Sequence, residues 1–264
     1  YLTARAPGWS LASLEQAHAA IAWAHTGHGI DPAPTAASAV KLVMKGLRAT
    51  KGKRARHAKR PVTQDLLVAL LTKVDRTTTR GLRDAAILLV GFHGALRRSE
   101  LAGIDRAHLS DTRDGVALLI PKSKTDQGGE GHVVGLPVRN DEPDLCPVRA
   151  LAAWVRAAGI TEGPIFRAVT PGGALAGDRA ISSRTVARVV KAYAGAAGLP
   201  EEPFAGHSLR AGLVTEAYRQ GVPEAQIMET TRHKNATMLA RYRREADPVR
   251  RGAAGALKST KKET

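Results

Sequence analysis

Cys146 is the only cysteine in 264 residues. That excludes an internal disulfide and suits a reducing cytoplasm. It stands before Pro147 with no obvious base nearby, which fits an inert helix start better than a nucleophile. No apolar run approaches the roughly 18 residues that a membrane-spanning helix needs. The opening YLTARAPGWS lacks the basic-then-apolar layout of a signal peptide. His-Glu-x-x-His is absent, and the nine histidines do not pair with cysteine at zinc spacing, so no metal is expected. No Gly-x-x-x-x-Gly-Lys-Ser/Thr loop occurs, so no ATP or other cofactor is implied. Internal repeats and long low-complexity tracts are missing too. Acid is in short supply: Asp+Glu 24 against Lys+Arg 40 leaves a net charge of +16. Such an excess points to a polyanion, nucleic acid before the rival, a membrane surface.

The hydrophobic fraction of 43% is enough for one large or two modest cores. Residues 11–26 read as an amphipathic helix with Leu11, Leu14, Ala17, Ile21 and Ala24 near one face, and His18 and His25 at the surface. Residues 34–48 read as a second helix, with Val40, Val43, Met44 and Leu47 inward. Two short helices bury little, so this module reads as incomplete, with further helices expected before Tyr1 in a longer protein. A basic linker follows at 49–62, and Arg48, Lys51, Lys53, Arg54, Arg56, Lys59 and Arg60 lie in or beside it with no acid among them. It reads as solvated chain and also as chain that crosses a phosphate backbone. Thr63 is expected to cap the next helix, and residues 80–95 form a more apolar helix deep in a second domain.

Arg97 follows that apolar helix, and Glu100 sits one turn further on. Residues 115–121 and 131–138 read as strands of a hairpin whose long polar tip carries Lys122 and Lys124. A proline-started helix at 147–158, a mobile surface loop at 163–180 with a short strand at 164–167, and a helix at 182–197 come next. Tyr193 reads as core packing and Tyr218 as packing or surface, neither as chemistry. The stretch His207 to Tyr242 organises the rest. His207 and Arg210 are three apart and share a helix face. His233 follows, and Tyr242 stands between Arg241 and Arg243.

His-x-x-Arg, then His, then Tyr, preceded by Arg-x-x-Glu and a hairpin lysine, resembles the signature of the tyrosine recombinases, the phage-integrase family. The resemblance spans residues 11 to about 245. It implies a mainly α fold with a small antiparallel β-sheet or hairpin. A partial helical core-binding domain (1–48) would be joined by the linker (49–62) to a catalytic domain (63–247), followed by a basic tail (248–264). It implies catalytic roles for Arg97, Lys124, His207, Arg210, His233 and Tyr242, with Glu100 supporting. Lys122 is the alternative for the lysine. The basic linker residues, Lys122, Arg241 and Arg243 are the candidates for DNA contact. One departure stands out: the family usually has Gly before the second histidine, and here Arg232 takes that place.

The residue types suit phosphoryl transfer. Two arginines can clamp a phosphate with planar forks. A phenol ionises near pH 10 in water, so it needs the arginines' field and a base such as His207. His233 would donate a further hydrogen bond, and Lys124 would protonate the leaving 5′-oxygen. A phosphotyrosine ester keeps the energy of the bond it replaces, so the step reverses without ATP. The function expected is site-specific recombination of double-stranded DNA through a 3′-phosphotyrosyl intermediate. The family implies a homo-tetramer on two DNA sites, no membrane, and a cytoplasmic, nucleoid-associated location. The alternatives are a DNA-binding relative without chemistry and a type IB topoisomerase.

Overall fold

A computed structural model describes residues 1–51, 60–121, 131–233, 235–240 and 242. The chain divides into two compact units, Tyr1–Ala58 and Lys59–Thr264.

In the first unit, α1 (Leu2–Arg5), α2 (Leu11–Gly27) and α3 (Ser38–Lys51) close on a small core of Leu2, Leu14 and Met44. Ser10 starts α2, its hydroxyl accepting from the Ser13 amide at 3.1 Å, which satisfies one of the helix's orphan donors. The second expected helix is shifted. Pro34–Ala36 form a 3₁₀ turn, extended Ala37 interrupts the chain, and α3 begins at Ser38. It runs three residues beyond the expected end, because Arg48 and Lys51 in its last turn favour the negative helix terminus. Val40 and Leu47 pack inward as their spacing predicts. Ala24 is exposed, and Trp23 stands 80% exposed beside it. Arg48 pairs with Glu15 at 2.8 Å across α2 and α3, and such half-exposed pairs contribute less than about 1 kcal/mol.

The second unit is built around a buried helix. α4 (Gln64–Leu71) leads to α5 (Thr79–His93), buried from Ala85 through Phe92. Thr63 does stand at the start of α4, but its side chain makes no capping hydrogen bond. Thr78 caps α5 instead, accepting from the Gly81 amide at 3.1 Å. α6 (Arg98–Ala102) follows after a sharp turn. The predicted hairpin is part of a three-stranded antiparallel sheet: β1 (Leu109–Thr112), β2 (Gly115–Ile120) and β3 (His132–Pro137). Val116, Leu118 and Ile120 of β2 face the core with Val134 and Leu136 of β3. β1 escaped sequence reading because Leu-Ser-Asp-Thr has no apolar alternation; it is held by backbone pairing, Leu109 opposite Leu118.

α7 (Pro147–Ala157) packs along α5, and Trp154 donates its indole N–H to the Ile165 carbonyl at 2.9 Å. The expected loop at 163–180 is in fact a second hairpin. β4 (Arg167–Val169) pairs with β5 (Leu175–Ala180), and the strand lies three residues later than predicted. β5 is polar and exposed, so no hydrophobic period marks it. α8 (Ser183–Ala196), α9 (His207–Arg219) and α10 (Glu224–Thr231) complete the unit. Tyr193 of α8 packs at the core edge and donates its hydroxyl to Asp84 at 3.2 Å. Tyr218 is buried, its hydroxyl 2.6 Å from Glu224.

α9 lies against backbone. The Val62 amide donates to Ser208 O at 2.9 Å, and a Cβ on Gly212 would come within 1.7 Å of the Val62 carbonyl oxygen. Backbone cannot yield as a side chain does. Gly212→Ala is therefore expected to destabilise the unit by about 3 kcal/mol, read from urea denaturation. Gly135→Ala on β3, where nothing lies within 4 Å, is the matched control and should change little.

Candidate active site

Six sequence-predicted residues converge at the junction of α5–α6, α9 and α10. The first is placed by a kink. Ala95 adopts φ 45°, a left-handed conformation that costs a non-glycine residue about 1–2 kcal/mol. The kink ends the buried helix and sets Arg97 at the start of α6. Glu100 then closes back on it. Its Oε2 accepts from the Arg97 amide at 2.8 Å and its Oε1 from Arg97 Nη1 at 2.6 Å. The carboxylate is 4% exposed, while Arg97 keeps 20%, so the guanidinium faces partly outward.

Arg210 is the most enclosed cation, 1% exposed. Its Nη1 donates to the Ala95 carbonyl at 2.7 Å, so the kink also supplies an acceptor. Its Nη2 donates to the Thr231 carbonyl at the end of α10, where the helix dipole is negative. Burial, with Arg97 and Arg232 nearby, brings its pKa down to about 10, so it is still charged at neutral pH.

His233 buttresses this arginine. Thr231 Oγ1 donates to the Ile227 carbonyl at 2.6 Å, so it accepts from His233 Nδ1 at 2.7 Å. The lone pair on Nε2 then accepts from Arg210 Nη2 at 3.2 Å. In this arrangement His233 orients Arg210. The hydrogen bond to phosphate expected of it requires a proton on Nε2 instead. Burial first, then the neighbouring cations Arg210 and Arg97, holds its pKa near 4.

His207 sits at the first turn of α9, exposed, on the same face as Arg210. Its Nε2 lies 3.3 Å from the Tyr242 hydroxyl. Leu239, fully buried against Val214, Tyr218 and Ile227, anchors the segment. Tyr242 comes three residues later and packs on the same cluster, which brings its ring over the site. Once ionised, its phenolate favours the charged form of Arg210.

Arg232 is the residue that sequence reading undervalued. The turn that glycine would make is made by Arg232 itself, at φ 58° and ψ 40°. Its side chain turns inward, and Nη2 donates to Glu100 Oε2 at 2.6 Å. The signal was present as an arginine in a glycine's place. Nothing local shows that its partner lies 132 positions away.

Of the remaining candidates, Arg48 is ion-paired on α3 and Lys51 ends that helix. Arg60 lies over the Phe204 ring, 5.7 Å from its centre. Lys53, Arg54, Arg56, Lys59, Lys122, Lys124, Arg241 and Arg243 lie outside the described residues. Among the described residues, no three His, Cys, Asp or Glu side chains are grouped to hold a metal ion. None of the helices there is long and apolar enough to cross a membrane.

Two histidines make stability depend on acid. His93, at the end of α5, has its Nε2 buried with no partner among the described residues. Burial, then Arg139, lowers its pKa from 6.5 to about 4, as burial does for His233. The native state therefore binds fewer protons than the unfolded chain between those values. Stability is full above pH 6.5 and is lost as pH falls toward 4, by about 3 kcal/mol for His93. Urea midpoints across this window check it, and His93→Gln should remove one of the two contributions.

Comparison with known proteins places this arrangement. The chain is 40% identical over 203 residues to the integrase/recombinase xerD homolog of Selenomonas ruminantium, an alignment covering 77% of this chain and 59% of that protein. This chain thus spans less than two thirds of that relative's length. Its fold matches XerH site-specific recombinase bound to palindromic difH substrate in a post-cleavage complex. The TM-score there is 0.68 at 17% identity, covering 97% of this chain and 70% of that one. A lambda integrase tetramer bound to a Holliday junction matches with a TM-score of 0.54 at 17% identity, covering 84% of this chain and 58% of that one. The phage integrase family itself matches residues 60–248, a span that holds every residue of the site just described, and the chain belongs to that family.

Proposed function

We propose that this chain is a site-specific recombinase that cuts and rejoins double-stranded DNA through a 3′-phosphotyrosyl intermediate. The observation that carries the reading is the Tyr242 hydroxyl, 3.3 Å from His207 Nε2 and within the field of Arg210. In cleavage, His207 takes the phenol proton and Tyr242 oxygen bonds to phosphorus. The bond from phosphorus to the 5′-oxygen breaks, and Lys124 returns a proton to that oxygen. Arg97 and Arg210 neutralise the non-bridging oxygens as charge builds. A 5′-hydroxyl from a second duplex reverses each step and joins new partners. The 3.3 Å approach of the Tyr242 hydroxyl to His207 of its own chain favours cleavage in cis.

The assembly follows the same reading. Residues 1–48 belong to a helical clamp on DNA, 49–62 cross the backbone, 63–247 react, and 248–264 dock on a neighbour. The lambda integrase neighbour, a tetramer bound to a Holliday junction, supports assembly as a homo-tetramer on two DNA sites. The protein acts in the cytoplasm, on the nucleoid. The basic linker predicts steep salt dependence.

The test uses nicked duplexes carrying candidate inverted repeats sought in the DNA that flanks the gene. A protein–DNA adduct resistant to denaturant, with products joined between two sites, is expected. Relaxation of a supercoiled plasmid without joined products would mark a topoisomerase instead. Absence of any adduct with wild-type protein sinks the proposal.

A further inference from the structure

Arg232 is expensive to the fold. It holds a left-handed backbone that favours glycine, its side chain is 5% exposed, and its Nε and Nη1 are buried without a hydrogen-bond partner among the described residues. Its one visible bond goes to Glu100, whose carboxylate is also bound by Arg97. With glycine at 232, Glu100 and Arg97 would form a neutral pair, and much of Arg97's charge would be spent inside the protein. With arginine there, three groups carry a net single positive charge, and Arg97 is the member that faces out.

We propose that Arg232 is a positioning residue for strand cleavage: it takes over half of Glu100 and so releases the charge of Arg97 for the scissile phosphate. This rests on the recombinase reading above. Arg232 does not touch the phosphate. It acts through Glu100, and its charge also reaches Arg210. A buried charge several ångströms from the reacting group is worth a sizeable factor in rate, because little solvent screens it.

The experiment compares adduct formation by wild type, Arg232→Gly and Arg232→Lys on two nicked duplexes. One has an ordinary scissile phosphate. The other has a methylphosphonate there, which lacks the negative non-bridging oxygen. Arg232→Gly should slow adduct formation about tenfold or more on the phosphate and within about threefold on the methylphosphonate. Arg232→Lys, which keeps the charge without the fork, should recover roughly half of the loss on a logarithmic scale. Glycine is at ease at φ 58°, so that variant is expected to fold, and the lysine variant tests the proposal if it does not. Equal defects on both substrates would show a merely structural role and overturn the inference, as would full activity of Arg232→Gly on the phosphate. Wild type inert on both duplexes would overturn the recombinase reading itself, a different result from wild type active and Arg232→Gly unchanged.

Discussion

Tyr242→Phe is expected to lower covalent adduct formation by at least about 10³-fold, to the background of the assay, while leaving DNA binding and folding intact. The substitution removes one oxygen. In the folded protein that oxygen faces His207 at 3.3 Å, a long contact at an exposed histidine, so its loss should cost less than about 1 kcal/mol of stability. The ring remains and still packs on the cluster of Val214, Tyr218, Ile227 and Leu239. The phosphate clamp is untouched as well, because Arg97 and Arg210 take their bonds from Glu100, Ala95 and Thr231. The expected pattern is thus a filter-binding curve like wild type with no denaturant-resistant band. An adduct at wild-type level would mean that another residue attacks, and the site would have to be rebuilt around it.

Arg210→Lys should be nearly as damaging, for a different reason. Lysine keeps a positive charge but has a single nitrogen. The fork of Arg210 meets the Ala95 carbonyl, the Thr231 carbonyl and His233 Nε2 at once, and so joins two distant parts of the chain. An ammonium at the end of a straight chain replaces about one of these and leaves the others buried without a donor, at about 1–3 kcal/mol for each lost partner. The α5–α6 kink and the end of α10 would then drift apart, and with them Arg97 and His233. Adduct formation should fall by about 10²-fold or more, the scale seen when one preorganised donor is lost from a charged transition state. A fall in the urea midpoint should accompany it. Arg210→Lys with wild-type stability and wild-type cleavage would show that the fork does neither job. Together the two variants separate the attacking group, whose loss is silent in stability, from the clamp, whose loss is not.

Local rules reached far in this chain. Three-residue spacing puts His207 and Arg210 on one face of α9, and Arg97 at the start of α6 meets Glu100 one turn on. Apolar period marked α5 as the central helix, and alternation marked β2 and β3. The excess of base over acid pointed to a polyanionic partner before any site was known. These features are carried by neighbours in sequence, so composition and period suffice to read them.

What stayed hidden depends on partners far apart in the chain. β1 and β5 are polar and owe their existence to the backbone of a neighbouring strand. The carbonyl that receives Arg210 is exposed to it by a left-handed alanine 115 residues away, and no residue type announces such a kink. Residue type points His233 to a phosphate contact, yet its two ring nitrogens are already engaged by Thr231 and Arg210. Arg232 looked like a flaw in a turn and proved to be a buried cation shared with Glu100. The amino-acid order by itself decided which chemistry is possible, since it supplies the phenol, the histidines and the arginines at helical spacing. Only the folded chain decided how their charges are divided, because a buried guanidinium must find its acceptors in three dimensions, and those acceptors are backbone carbonyls and one carboxylate that sequence distance conceals.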